Sequence, residues 1–450
     1  MTLALSPVPA ARAEQIPVPT VAGARLVVPL VDGTRVGYAN LDHAASAPCL
    51  DAVRDAVDEL LPWYASVHRG AGFASQVSTK VYERARRVLR RFVGACETDT
   101  VVFTRNTTDS LNLLAKALPK ATSVVLFDTE HHAALLPWRG PSVRRVQTPA
   151  NADDAVHALE EALQATPVGP RLVVLTGASN VTGEVWPVAA LSAVARRCGA
   201  RVVLDAAQLA PHRPIDIRAL DVDYVVLSGH KLYAPFGSGA LIGRADWLKA
   251  AEPYLVGGGA TAQVVDHGDR LGVAWAAVPE RHEAGSPNVV GAHALAVACD
   301  TLAADWDSVV AHERELLDRL RAGLATVPGL RALSLFGDDH DRVGVVSFTV
   351  NGVEAGLVAA VLSAEHGIGV RDGAFCAHIA TRRLLERVDA GEDRAVRVSV
   401  GLGTRPEHID RLIAALHALV ADGPAVEYAV VDGRWAPVDD ARPLPSFLAE

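Results

Sequence analysis

Between residues 100 and 242 the chain repeats one pattern, a strand-length apolar run followed by a stretch with helical spacing. Val101-Val102-Phe103 leads into a helical stretch at 108–118, and Ser123 to Phe127 is the next run. Arg171 to Leu175 precedes a helix at 187–198, and Arg201 to Leu204 and Val222 to Leu227 follow. Runs this apolar belong to strands covered on both faces, and intervening helices are the crossovers that parallel strands require. Gly237 to Ile242 reads as a closing strand, antiparallel to the set. The expected fold class is α/β with a mostly parallel sheet.

The rest of the chain is organised around this block. Residues 1–40 read as an N-terminal arm, broken early by Pro7, Pro9, Pro17 and Pro19 and contributing to the smaller domain. Residues 41–295 form the large domain, with helices at 49–62 and 76–93 and a loop-rich stretch at 251–290. Helical residues 291–326 bridge into a smaller domain at 296–423. Its strands are expected at 342–350 and 394–400 and its helices at 352–365 and 406–420. Residues 424–450, with Pro437, Pro443 and Pro445, read as a C-terminal surface extension. A length of 450 residues accommodates two domains.

Composition narrows the function. A net charge of −9 argues against nucleic-acid binding. The five cysteines (Cys49, Cys96, Cys198, Cys299 and Cys376) show neither a CxxC pair nor zinc spacing, so no metal is expected and a reducing, cytoplasmic setting fits. No secretory signal is read, and no apolar run is long enough to span a membrane.

Four polar clusters fall at the ends of predicted strands, where α/β sheets collect ligands. Arg105-Asn106-Thr107-Thr108-Asp109-Ser110 offers hydroxyls and backbone N–H groups at a helix start, which suits a phosphate and equally suits a plain N-cap. Glu130-His131-His132 follows the run ending at Phe127. Asp205 ends its strand with Gln208 one turn on, and Ser228-Gly229-His230-Lys231 ends another. A lysine at a strand mouth can be a capping or surface residue. Beside a phosphate cradle, a flat imidazole and a strand-end carboxylate, it matches pyridoxal phosphate: the lysine forms the Schiff base and the carboxylate keeps the ring nitrogen protonated. There is no GxxxxGK[ST] motif for a nucleotidase and no GxGxxG for a nicotinamide enzyme.

At these motifs the sequence resembles the class V pyridoxal-phosphate enzymes of fold type I, and within them the cysteine desulfurase and selenocysteine lyase branch, over about residues 38 to 420. The resemblance implies a mostly parallel seven-stranded sheet plus a smaller α/β C-terminal domain. It implies that Lys231 in Ser-Gly-His-Lys-Leu-Tyr carries the cofactor, Asp205 in Asp-Ala-Ala-Gln meets the pyridine nitrogen, Gln208 the ring hydroxyl oxygen, and His131 stacks on the ring. Thr107, Thr108, Ser228 and His230 would hold the phosphate, Asn180 in Ser-Asn-Val-Thr-Gly would lie beside ring and substrate, and Arg397 in Val-Arg-Val-Ser would grip the α-carboxylate of an amino-acid substrate. Ser286 in Glu-Ala-Gly-Ser-Pro-Asn would reach the phosphate of a neighbouring subunit, which implies a homodimer.

Arg371-Asp372-Gly373-Ala374-Phe375-Cys376 keeps the desulfurase spacing Arg-x-Gly-x-x-Cys, so Cys376 matches the residue that carries the persulfide. A neighbouring cation must favour its thiolate, and Arg371 is the candidate. Such a persulfide leaves room for a sulfur-acceptor protein as partner. The family pattern has histidines where this chain has Ala374 and Phe375, and Tyr-Asn-Thr where it has Leu402-Gly403-Thr404. Both changes are expected to make the pocket less polar. A cysteine is also a common inert small hydrophobe. Four readings follow: a desulfurase giving alanine and a persulfide; a carbon–sulfur β-lyase acting on a thioether without a cysteine nucleophile; a class V aminotransferase; and a cofactor-binding partner protein without catalysis, which the joint presence of Lys231 and Asp205 opposes.

Overall fold

The structure is a computed structural model that describes residues 16–140 and 142–448, so Pro7 and Pro9 lie outside the described residues. The main sheet has seven strands: β1 (Thr100–Thr104), β2 (Ser123–Phe127), β3 (Val143–Val146), β4 (Arg171–Thr176), β5 (Arg201–Asp205), β6 (Tyr224–Ser228) and β7 (Gly239–Gly243). Their order is β1-β7-β6-β5-β4-β2-β3. Strands β2 to β6 pair in parallel, and β7 runs antiparallel between β1 and β6. Every residue of β2, β6 and β7 is buried, which is why these strands are continuous apolar runs. β3, absent from the sequence reading, is an edge strand whose central Arg144 and Arg145 are exposed. An edge strand needs no apolar run, and charge on it discourages pairing with other chains.

From β2 the chain moves outward to β3 and then returns to the other side of β2 for β4. Strand order therefore reverses between β2 and β4, and the crevice outside the carboxyl ends of the parallel strands opens there. The helix Val289–Ala303, buried over most of its length, packs against Asp51–Leu60 and Phe73–Phe92.

A second sheet, of four antiparallel strands, has the order β8 (Leu330–Ala332), β9 (Val345–Val350), β11 (Ala395–Ser399) and β10 (Arg371–Gly373). Its core is closed by helices Trp306–Leu324, Ala355–His366 and Pro406–Asp422. Only β9 and β11 are legible in the sequence, since three-residue strands carry no alternation to read. Ala39–Asn40 pairs in parallel with Ile368–Gly369, tying the N-terminal segment to this unit.

Two stretches differ from expectation. Residues 251–290, read as loop, hold an antiparallel hairpin, Thr261–Asp266 with Leu271–Trp275. Most of its residues are exposed on both faces, so no buried period marks it in the sequence. The C-terminal extension is a docked hairpin, Tyr428–Val431 with Arg434–Pro437. Trp435 Nε1 donates to Glu354 Oε2 (3.1 Å) and the Tyr428 hydroxyl to Glu365 Oε1 (3.0 Å). Among the described residues no helix is long and apolar enough to cross a membrane.

Candidate active site

The turn after β6 is built by two close backbone approaches. At Gly229 a Cβ would lie 2.7 Å from the Ser238 carbonyl oxygen, and at Gly239 it would lie 2.6 Å from the Leu227 carbonyl oxygen and 2.7 Å from Asn106 Cα. Without side chains there, the Ser228–Lys231 turn folds tightly under β7, and the loop after β1 is drawn beside it. Asn106 then caps the helix Thr107–Ala117, its side chain accepting from Asp109 N (3.0 Å).

One cavity of about 250 Å³ gathers twelve of the thirteen residues singled out from the sequence. Its lining holds Thr107, Thr108, Ser228 and His230 together with His131, Asp205, Gln208, Asn180 and Lys231, and with Arg371, Cys376 and Arg397. Ser286 is the exception. It lines a separate cavity of about 760 Å³ with Tyr64, His68 and Glu283.

Charge in this cavity is set largely by burial. The Lys231 side chain keeps some surface open to the cavity, but protein encloses its amine. Burial pushes the amine down to about 8, against the pull of Asp205 and helped by Arg397. Its Nζ donates to Gln208 Oε1 at 3.5 Å. Asp205 ends β5, accepts from Ala207 N (3.0 Å), and has its carboxyl raised by burial, with Lys231 opposing. His131 Nδ1 accepts from Ala133 N (3.0 Å), and burial with the Lys231 charge lowers the ring to about 3. His131 is therefore a neutral, flat ring held in a single tautomer, with Nε2 protonated.

Arg397, on β11, is buried. Its Nη1 donates to Asn180 O (2.9 Å), its Nη2 to Asp42 Oδ1 (3.2 Å), and the Phe375 ring centroid lies 5.0 Å from its Cζ. Arg371 approaches the same Asp42 at 3.9 Å. Phe375 and Cys376 both have left-handed backbones, with φ of 54° and 55°. That conformation costs a non-glycine residue on the order of 1 kcal/mol or more, so the surroundings must enforce it. They do: Asn180 Nδ2 donates to Phe375 O (2.7 Å) and His132 N to Cys376 O (2.8 Å). Cys376 is exposed at the cavity wall on a tethered loop.

The expectation for Leu402-Gly403-Thr404 needs correction. These residues do not line the cavity. Leu402 N donates to the Tyr233 hydroxyl (3.1 Å), Thr404 Oγ1 accepts from Gly401 N (3.0 Å), and Gly403 packs against Val21. The segment fills an internal contact, so of the two departures only the one at Phe375 changes the pocket. The sequence reading missed one residue of the site, and gave a second, Glu130, no role of its own. Asp42, just after the N-terminal arm, anchors Arg397 from 355 positions away. Glu130, fully enclosed, accepts from Thr176 N (3.2 Å), and its carboxyl is pushed well up by burial and the Asp205 charge.

Two buried hydroxyls of this lining, Thr107 Oγ1 and Ser228 Oγ, have no hydrogen-bond partner within the protein. Buried hydroxyls are rarely left so, and two in the lining of one cavity fit an oxygen-rich anionic group such as a phosphate. With a neutral imidazole, a strand-end carboxylate and a depressed lysine amine, this donor set suits a phosphorylated aromatic aldehyde.

Comparison with known proteins agrees. The family model described as aminotransferase class-V matches residues 39–412. A cysteine desulfurase of Dickeya dadantii is 37% identical over 394 residues, covering 85% of this chain and 92% of that protein. A probable cysteine desulfurase of Vibrio cholerae is 34% identical over 396 residues, covering 84% and 93%. The apo structure of a cysteine desulfurase from Thermococcus onnurineus superposes with a TM-score of 0.76 at 30% identity, covering 85% of this chain and 94% of that one.

Proposed function

From the premise that this chain belongs to the aminotransferase class-V family and to its cysteine desulfurase branch, we propose that it cleaves the carbon–sulfur bond of L-cysteine, giving alanine and a persulfide on Cys376. The observation that carries the reading is the single cavity that brings Cys376 together with Lys231, Asp205 and Arg397.

Pyridoxal phosphate, when bound, supplies an aldehyde carbon to attach to and a ring that withdraws electrons from the substrate α-carbon. The protein's part is binding, orientation and proton handling. Thr107, Thr108, Ser228 and His230 would hold the phosphate, Asp205 would face the ring nitrogen, Gln208 the ring hydroxyl oxygen, and the neutral His131 would lie on the ring face. Arg397 takes the substrate carboxylate in exchange for Asp42, which has Arg371 as its other partner. The Lys231 amine, freed by the substrate, removes the α-proton. Cys376 thiolate then attacks the substrate sulfur. The S–S bond forms as the C–S bond breaks, and the electron pair stays with the carbon that becomes the alanine methyl. No external oxidant is needed.

Capture of the cofactor is expected to follow the neutral fraction of Lys231. Its rate should rise by roughly tenfold per pH unit below about 8 and level off above it. Linkage runs the same way: between about 8 and the ordinary lysine value of 10.5 the unfolded chain holds the proton that the folded chain has lost, so apoprotein stability rises with pH across that window. A flat capture profile from pH 6 to 9 would contradict the assignment.

Arg397→Lys should cost roughly 10- to 100-fold in kcat/KM, expressed mainly in KM, because lysine cannot reproduce a bidentate grip worth about 1.5–3 kcal/mol. An unchanged KM for L-cysteine removes Arg397 from substrate binding.

Homodimer formation is part of the proposal. The cavity lined by Ser286 adjoins exposed Trp63, Tyr64 and Phe73, an apolar surface suited to a second subunit. Light scattering should give the mass of two chains, with cofactor occupancy falling on dilution. A monomer that keeps full occupancy refutes it. The five free cysteines fit a reducing, cytoplasmic setting.

A second reading, β-elimination from an S-substituted cysteine, has its own observation. Arg371 also lines an adjoining cavity of about 950 Å³, walled by Asp42 and by Trp435 of the C-terminal hairpin, which offers room for a sulfur substituent.

A further inference from the structure

A chain of buried polar groups runs from the cavity to the long helix Trp306–Leu324. Lys231 Nζ donates to Gln208 Oε1 (3.5 Å), and Gln208 Nε2 lies 3.2 Å from His212 Nε2. His212 Nδ1 is in hydrogen-bond contact with Glu313 Oε2, and Glu313 Oε1 accepts from Arg213 Nη1 (2.5 Å). Arg213 Nη2 donates in turn to the Arg342 carbonyl (2.9 Å). Gln208, His212 and Glu313 are all buried.

The protons in this chain are determined by elimination. Glu313 Oε1 is ion-paired with the Arg213 guanidinium, so Glu313 is a carboxylate and its Oε2 can only accept. His212 must therefore carry its proton on Nδ1. A second proton on Nε2 would set two cations against the buried Glu313 carboxylate, and Asp341 stands near Arg213 (Nη2–Oδ1 3.8 Å) and not His212, so the imidazolium would be buried against an already paired partner. Nε2 is then a lone pair, and only the amide nitrogen of Gln208 can face it. With the nitrogen turned to His212, the Gln208 carbonyl faces Lys231, and one amide hydrogen stays free.

We propose that Glu313 is a positioning residue for the Lys231 cavity: by fixing the His212 tautomer it fixes which end of the Gln208 amide faces Lys231. The helix that carries Glu313 also packs against Pro406–Asp422, with Arg319 bonded to Asp410 at 2.6 Å. The placement of the smaller unit is thereby linked to the orientation of one side chain in the cavity. The tautomer and amide orientation stand on geometry alone; their consequence for the cofactor rests on the reading given under Proposed function.

Two readouts separate these layers. In apoprotein labelled with ¹⁵N-histidine, His212 should show the Nδ1–H tautomer, and the Gln208 amide protons should show cross-relaxation with its ring. An Nε2–H tautomer or an imidazolium overturns the proposal in wild type, with no variant needed. Glu313→Gln can donate as well as accept, so it should give mixed tautomers. It should also weaken pyridoxal phosphate binding about three- to tenfold and shift the visible band, the size expected for one misdirected hydrogen bond. Glu313→Asp should recover most of both. Mixed tautomers with wild-type affinity and spectrum overturn the positioning role. Should wild type bind no pyridoxal phosphate, the Proposed function fails and the tautomer readout still decides the inference.

Discussion

Lys231→Ala should fold, bind pyridoxal phosphate only reversibly, and turn over L-cysteine at least about a thousandfold more slowly than wild type. The size of the effect follows from what alanine removes. In the proposed function both the covalent attachment and the base that moves the α-proton depend on this one amine, and the other four lysines, Lys80, Lys116, Lys120 and Lys249, lie in exposed positions outside the cavity. Folding should not suffer. Burial depresses the Lys231 amine, so below about pH 8 wild-type apoprotein carries a charge that the fold opposes. The apo variant should therefore melt no lower than wild type, and higher below pH 8. A structural lysine would behave oppositely, with activity and melting temperature falling together. Borohydride reduction of wild type should fix the cofactor on the peptide holding Lys231. Label on any other lysine ends the assignment.

What could be read in the sequence, and what could not, follows from where each contact partner lies along the chain. Asp205 and Ser228 end strands whose central Val-Val-Leu runs are apolar, and Lys231 follows Ser228 within one turn, so polar residues there announce themselves. The cradle Thr107–Thr108 is legible for the same reason, one strand end followed at once by a helix start. Asp42 and Glu313 were not legible. Asp42 meets Arg397 across 355 residues, and Glu313 meets His212 across 101. Glu313 sits in a helix rich in charged residues, where a glutamate normally marks the solvated face. Only the packing of that helix onto the turn after β5 shows it to be buried. The helix His378–Arg387, directly after Cys376, escaped notice because two of its four buried positions are Ala380 and Thr381, which leaves only Leu384 and Leu385 to mark an apolar face among its arginines. Without it the tether on Cys376 cannot be inferred, and the cysteine reads equally as nucleophile or filler.

That ambiguity is resolved by following the sulfur. Cys376→Ser should keep the yellow bound cofactor, and its visible band should still shift on adding L-cysteine, since neither Lys231 nor Arg397 is touched. Alanine formation and the protein persulfide should fall by roughly a thousandfold or more, because a serine hydroxyl accepts sulfur far less readily than a thiolate. The loss should lie in kcat. Geometry favours this outcome: the left-handed backbone at Phe375 and Cys376 is a strained arrangement enforced by Asn180 and His132, and an inert cysteine would give no reason to maintain it. The β-lyase reading predicts the reverse. There the electrons of the C–S bond leave with the sulfur, the products are a thiol, pyruvate and ammonia, and Cys376→Ser keeps most activity. L-cystathionine, whose substituent would need the space beside Trp435, should then outperform L-cysteine. Assaying alanine, pyruvate and sulfide together, with both substrates and both proteins, separates the two. Pyruvate as the main wild-type product, unchanged in the variant, removes the desulfurase assignment. Alanine that disappears with the thiol establishes Cys376 as the sulfur acceptor.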